Sequence, residues 1–263
     1  MDIYPFLEAV REKQPLVHHL TNWVTIYDCA QAVKSLGASP VMAHAPEEVA
    51  AMAGLASALV LNIGTLTREF IESMKIAARA ANGRKIPVVL DVCGAGATPF
   101  RDEKSFELLD GVRIDIIKGN ASEIARVAGR AVRTRGVDAG SVGDDLRAVA
   151  AGLAAERRCV VAVTGEEDLV AAAEGAVLSV KNGHAMMASV VGTGCMAASV
   201  IGAFAGARPG APAAAAAAGL ACFGIAAEQA AVSCAGPASF KEGILDRLHS
   251  LSEDEVREMQ RVS

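Results

Sequence analysis

A three-layer α/β fold, with helices packed on both faces of a mostly parallel central sheet, is the architecture this chain of 263 residues predicts. Three observations carry that expectation. Short apolar runs alternate with helix-length segments almost throughout, the pattern of strands joined by right-handed helical crossovers. Apolar residues make up 52% of the chain, yet only 4% is aromatic. The excess is mostly Ala with some Val, which suits parallel strands under Ala-faced helices better than a β-sandwich. Finally, most of the apolar runs end in polar or glycine-containing stretches, and in such folds ligands sit at the carboxyl ends of the strands.

Taken in order, Ile3 to Gln14 reads as an amphipathic helix ended by Pro15, and Leu16 to Leu20 as a short strand. Thr21-Asn22 can cap a helix that runs to Leu36, with Gly37 as its stop. Ser39 to Met42 is strand-like, and Pro46-Glu47-Glu48 opens a helix with acids where the dipole prefers them. Ala58 to Gly64 is a buried strand, Thr67 to Asn82 a helix, and Ile86 to Val92 a strand carrying Asp91 near its end. A helix over Ser105 to Leu109 leads to a strand over Ile114 to Ile117. Helices follow over Ser122 to Ala128 and Gly143 to Glu156, then a strand over Cys159 to Val163. Two apolar runs flanking Glu174-Gly175 predict a hairpin between Leu169 and Val180. Two or three helices complete the chain. No low-complexity linker or fixed-period repeat divides it, so one domain over residues 1–263 is expected.

Several function classes are disfavoured at this level. The formal net charge is −5 with no dense Lys/Arg run, which argues against a nucleic-acid or anionic-membrane surface. The start, Met1 to Pro5, lacks the basic and apolar regions of a signal peptide. Ala211 to Cys234 is apolar enough to imitate a membrane span, but Glu228, Gln229, Gly219 and Gly224 make a buried helix the better reading. Six irregularly spaced cysteines without a Cys-x-x-Cys pair fit a reduced cytoplasm rather than a disulfide framework or a zinc site. There is no Gly-x-x-x-x-Gly-Lys-Ser/Thr loop, no Gly-x-Ser-x-Gly elbow and no His-Glu-x-x-His.

Three stretches can carry chemistry. In Gly192-Thr193-Gly194-Cys195, two glycines let the backbone turn tightly, and the helix behind them aims free N–H groups and a positive dipole end at one point, an anion hole. A cysteine there tends to have a lowered pKa, so Cys195 could act as base, nucleophile or polar neighbour of a reacting hydroxyl. Close loop packing with a buried thiol explains the same residues. Asp91, before Gly94-Ala95-Gly96, can hold Mg²⁺ through water, or simply cap a turn. Asn120-Ala121-Ser122-Glu123 matches a capping box, and it also places Glu123 where a second carboxylate could organise Mg²⁺, with Lys118 near enough to offset phosphate charge. His18 and His19 adjoin a strand end, where a structural role is the simpler reading.

Seven ordered blocks, from Thr21-Asn22 through Leu36 to Met42, Leu61 to Leu66, Leu90 to Thr98, Gly119 to Ile124, Val161 to Gly165 and Gly192 to Cys195, resemble the hydroxyethylthiazole kinases of the ribokinase-like superfamily. The resemblance covers about Val17 to Phe240. It implies a ribokinase-like fold, ATP as phosphoryl donor, Mg²⁺, a thiazole alcohol as acceptor in thiamine salvage, and a homotrimer with sites between subunits. It places Asp91 and Glu123 at the metal, and Lys118, Thr164 and Asn120 at the nucleotide. Asn22, Met42 and Gly192 fall at the thiazole, and Thr193, Gly194 and Cys195 at the transferring group. Where most of the superfamily carries an aspartate base, the thiazole kinases carry a cysteine, as here. Val92-Cys93 departs from the family's usual Pro-Val, and Lys118 stands for its usual Arg, keeping charge without the bidentate fork. Kinases of pyrimidines, pyridoxal or sugars and a nucleotide-repair dehydratase are the rivals on the same scaffold. A non-catalytic sensor of a thiamine precursor is the rival from another class.

Overall fold

Residues 1–129 and 142–263 are described by the computed structural model. The strands are β1 (Leu16–Leu20), β2 (Ser39–Val41), β3 (Ala58–Asn62), β4 (Val88–Asp91), β5 (Ile116–Asn120), β6 (Val160–Thr164), β7 (Asp168–Ala171) and β8 (Val177–Val180). They form one eight-stranded sheet in the order β2-β1-β3-β4-β5-β6-β7-β8. The pairs from β2 through to β6 are all parallel, and β7 and β8 close the sheet as an antiparallel hairpin. Chain order reverses between β1 and β3, so the crevice at that switch point opens at the carboxyl edge.

Helices cover both faces. On one face α1 (Tyr4–Lys13), α2 (Ile26–Ser35), α8 (Thr193–Ala207), α9 (Pro212–Ala231), α10 (Pro237–Ser250) and α11 (Glu253–Met259) share a core with Val17, Val60, Val89 and Ile116. On the other, α3 (Val49–Leu55), α4 (Arg68–Gly83), α5 (Pro99–Gly111), α6 (Ala121–Val127) and α7 (Val142–Arg157) pack on Leu59, Leu61, Leu90 and Ile117. Alternate residues of each strand thus feed opposite cores, which is why the central strands read as continuous apolar runs. The Ala-rich α9 is long and apolar enough to cross a membrane, and 78% of its most apolar stretch is buried inside the fold. Its small side chains let it lie close to α8. In turn, α8 rests so tightly on β3 that a methyl group at Gly202 would collide with Val60.

Of the boundaries that differ from the sequence expectation, three bear on the site. The second helix starts at Ile26, four residues beyond Asn22. The Asn22 side-chain oxygen accepts the backbone N–H groups of Val24 and Thr25, making a turn that delays the helix. The fifth helix starts at Pro99 rather than Ser105, because Thr98 caps it by accepting the Arg101 N–H and proline suits the first helical position. The fifth strand spans Ile116–Asn120 rather than Ile114 to Ile117, so Lys118, Gly119 and Asn120 pair with β6 instead of forming a loop.

Candidate active site

Four neighbouring strand ends supply the site. Asn22 follows β1, Asn62 and Asp91 are the last residues of β3 and β4, and Lys118 stands opposite Asp91 in β5. All four are buried, between 1% and 4% exposed. Facing them is the first turn of α8. Gly192 caps that helix at φ +97°, and Thr193, Gly194 and Cys195 are its first three residues. A methyl group on Gly192 would come within 2.5 Å of Thr25 Cγ2, so only glycine satisfies both the conformation and the space. A methyl group on Gly194 would stand 3.1 Å from Lys118 Nζ, which puts the ammonium directly against the helix start.

Side-chain bonds knit these parts together. Asn22 Nδ2 donates to Cys195 Sγ at 3.0 Å and to Asn62 Oδ1 at 3.1 Å. Asn62 Nδ2 donates to Asp91 Oδ2 at 2.7 Å and to Cys195 Sγ at 3.3 Å. Lys118 Nζ lies 3.4 and 3.3 Å from the two Asp91 oxygens. Cys93, just beyond β4, is close enough to Cys195 for the two thiols to influence each other's protonation. The loops are held from beneath by Arg101, whose guanidinium donates to the carbonyls of Ile63, Gly64 and Cys93.

These contacts reset the protonation equilibria. The neighbouring Cys93 thiol pulls the Cys195 thiol down to about 5, against the opposing effect of burial. The Thr25 hydroxyl, the Lys118 charge and the Asn22 amide add to that lowering. Cys93 moves the other way, well above the ordinary thiol range. Burial pushes Asp91 up to about 7, with Lys118 resisting. For Lys118, burial acts to lower the ammonium pKa, but Asp91, Glu123 and the two thiols outweigh it and the net shift is upward. At neutral pH these shifts favour a thiolate at Cys195 beside the Lys118 ammonium, with Asp91 near the midpoint of its titration.

The remaining expected residues surround this centre. Glu123 bridges two loops: its carboxylate accepts the N–H of Gly94 and of Asn120, each at 2.7 Å. In return the Asn120 side-chain oxygen accepts the Glu123 N–H, so the capping box is real and the Asn120 oxygen is engaged in it. Thr164 ends β6 opposite Asn120, and its hydroxyl faces the Gly119 carbonyl at 3.4 Å. The Thr193 hydroxyl turns back to the carbonyls of Met187 and Val190, leaving only its backbone amide toward the site. Met42 follows β2 at the outer edge of the sheet, half-buried and away from the bonded group around Cys195. His18 and His19 are buried in β1, and their rings bond backbone carbonyls of Ala43 and Val17.

Sequence reasoning passed over Asn62, Cys93, Thr25 and Arg101. Asn62 carries a usable signal, a polar residue closing an otherwise apolar central strand. Cys93 and Thr25 carry none, since each acquires its place only when loops from different strands converge.

No group of three or more His, Cys, Asp or Glu side chains suited to a metal occurs among the described residues. Asp91 and Glu123 act on the same Lys118 ammonium, two carboxylates whose oxygens are donors of the kind Mg²⁺ takes.

The architecture is that of a ribokinase-like α/β protein. A ribokinase-like superfamily protein from Enterococcus faecalis V583 shares the fold with a TM-score of 0.61 at 13% identity, over 89% of this chain and 86% of that one. The chain belongs to the hydroxyethylthiazole kinase family, whose model matches residues 7–254. A hydroxyethylthiazole kinase from Methanosarcina mazei is 54% identical over 256 residues, 97% of each chain. The structure of a hydroxyethylthiazole kinase protein from Pyrococcus horikoshii OT3 superposes with a TM-score of 0.91 at 39% identity, covering 99% of this chain and 98% of that one.

Proposed function

We propose that this chain transfers the γ-phosphoryl group of ATP to the hydroxyl of 4-methyl-5-(2-hydroxyethyl)thiazole, giving its phosphate in thiamine salvage. Membership of the kinase family supports ATP as co-substrate and the thiazole alcohol as acceptor. The observation that carries the reading is Cys195 in the first turn of α8, held by two amide donors and facing Lys118.

In this reading the acceptor hydroxyl lies beside Cys195 Sγ, near Asn22 and Gly192, and the thiazole ring extends outward toward Met42. Its oxygen attacks the γ-phosphorus in line, the bond to the bridging oxygen breaks, and ADP leaves. The hydroxyl proton passes to the thiolate. The amides of Gly192, Thr193 and Gly194 face the equatorial phosphoryl oxygens, with the dipole of α8 behind them. Lys118 offsets charge on the triphosphate, and Asn120 and Thr164 flank the nucleotide. Asp91 and Glu123 would hold Mg²⁺, which when bound supplies charge neutralisation on the β- and γ-phosphates. A cavity of about 410 Å³ beside Gly96, Thr98, Ser122 and Arg126 leaves room on that side. Positioning and electrostatics supply most of the acceleration in reactions of this kind.

The working unit we infer is a cytoplasmic homotrimer of one-domain subunits over residues 1–263. An exposed apolar face beside the site supports the assembly. Trp23 and Val24 before α2, Tyr27 in its first turn and Val191 before Gly192 are 47% to 72% exposed. Close contact of Gly192 with Thr25 puts them on one side of the cleft. The test is transfer of label from γ-labelled ATP to the thiazole alcohol. Label recovered only as ATP or free phosphate would contradict the reading.

A further inference from the structure

We propose that Asn62 is a positioning residue that ties Cys195 to Asp91 through a single side-chain amide, so that the thiol at the acceptor and the carboxylate at the metal end are set by one group. The inference rests on the assignment of Cys195 to the acceptor hydroxyl.

The amide of Asn62 is fully used, and in one orientation only. Its two N–H bonds go to Asp91 Oδ2 at 2.7 Å and Cys195 Sγ at 3.3 Å. Its oxygen accepts Asn22 Nδ2 at 3.1 Å and the Gly64 backbone N–H at 2.8 Å. Turned over, the amide would set oxygen against the Asp91 carboxylate and nitrogen against the Gly64 N–H, so both ends enforce the same arrangement. Asn22 is fixed as firmly. Its oxygen takes the N–H of Val24 and Thr25 and the Thr25 hydroxyl, which leaves its own N–H groups for Asn62 and Cys195.

The sulfur therefore meets two donors whose directions are locked. A sulfur that accepts two N–H bonds is favoured in its charged form and is aimed, rather than free to rotate. The same amide is the shortest bond to Asp91, which is 1% exposed and is otherwise left with the longer contacts to Lys118. Loss of Asn62 thus unsettles both groups at once, although its amide is wholly engaged by the protein itself. The other titratable or charged groups facing Cys195 are Cys93 and Asp91 from the end of β4, Lys118 from β5 and Cys29 from α2, and none of them bonds the sulfur and Asp91 together.

The experiment compares the full-length protein with Asn62→Ser, which is small enough to be housed, and Asn62→Asp, which keeps the oxygen but loses both donors. Alkylation of Cys195 by iodoacetamide is followed by peptide mass across pH, alongside kcat and both KM values. In each variant that keeps a cooperative thermal transition, the alkylation midpoint should rise by about one pH unit. In the same variants kcat should fall roughly tenfold or more while KM for the alcohol moves less than about threefold. A merely structural asparagine would lower the transition temperature and leave the midpoint in place. An unmoved midpoint or a wild-type kcat in Asn62→Ser overturns the inference. Cys195→Ala, run beside them, addresses the reading beneath it: wild-type turnover there removes the thiol from the reaction, whatever the Asn62 variants do.

Discussion

An alcohol hydroxyl gives up its proton only as the phosphoryl group arrives, so its neighbour must accept late and without leaving the line of attack. A thiol held low by Cys93 and by locked amide donors meets that need, though less directly than a carboxylate. Cys195→Ala should therefore lower kcat by about 10²-fold with small changes in KM. Cys195→Ser should also be slow, and Cys195→Asp tolerated or better. Full turnover in Cys195→Ala, measured at saturating ATP, would remove the thiol from the chemistry. Elsewhere a single side chain governs stability instead. Burial holds His19 down to about 4, and its Nε2 has no partner. The unfolded chain takes up that proton near the ordinary histidine value, so the residue's contribution shrinks as pH falls from there towards 4. Asp91 and Asp168, both raised by burial, titrate in the opposite sense, but they are common to wild type and variant. The stability difference between wild type and His19→Leu should thus move towards the variant by about 2 kcal/mol between about pH 7.5 and about pH 5 in urea unfolding. A pH-independent difference would contradict this. At this scale Asp91, Asn22 and Lys118 were legible as polar residues at or near strand ends, and Cys195 from the Gly-Thr-Gly turn that opens a helix. Asn62 was legible only as part of a pattern, since its role is made by partners on three other segments.

At the level of elements, the helix start carries the burden. The first turn of α8 starts beside Lys118 only because Gly192 adopts φ +97° against Thr25, and in the proposed reaction its free amides meet the phosphoryl group. Gly192→Ala should cost about 2 kcal/mol in stability, from the left-handed backbone alone, and a larger share of activity because the turn shifts. Thr25→Ser removes the crowding methyl while keeping the hydroxyl that donates to Asn22. In the double variant, part of the lost kcat/KM should return without full recovery of stability. No recovery would mean that crowding is not what the methyl introduces. The alternation of strands and helices, and the hairpin at Gly175, could be read from periodicity and turn chemistry. The three boundaries that bear on the site could not. Each depends on a side chain bonding the backbone locally, as Asn22 and Thr98 do, or on strand pairing that carries polar residues into the sheet, as with Lys118 to Asn120.

For the molecule as a whole, the site lies where the order of strands reverses, between β1 and β3, and the two asparagines that hold Cys195 come from those strand ends. The cleft there opens beside exposed Trp23, Val24, Tyr27 and Val191. If a second subunit completes it, Tyr27→Glu should convert a trimer into monomers by light scattering and abolish most turnover together. A fully active monomer would contradict the intersubunit site. Alanine-rich composition announced tight helix packing, but an assembly leaves little trace in one chain, because an exposed apolar side chain reads the same whether or not a partner covers it. The most direct measurement is label transfer from γ-labelled ATP to a small panel of alcohols: hydroxyethylthiazole, a hydroxymethylpyrimidine, pyridoxal and a sugar. The account predicts a labelled thiazole phosphate, with kcat/KM for that acceptor above the others by about 10²-fold or more. Faster labelling of the pyrimidine, pyridoxal or sugar, or no labelled ester at all, would contradict it.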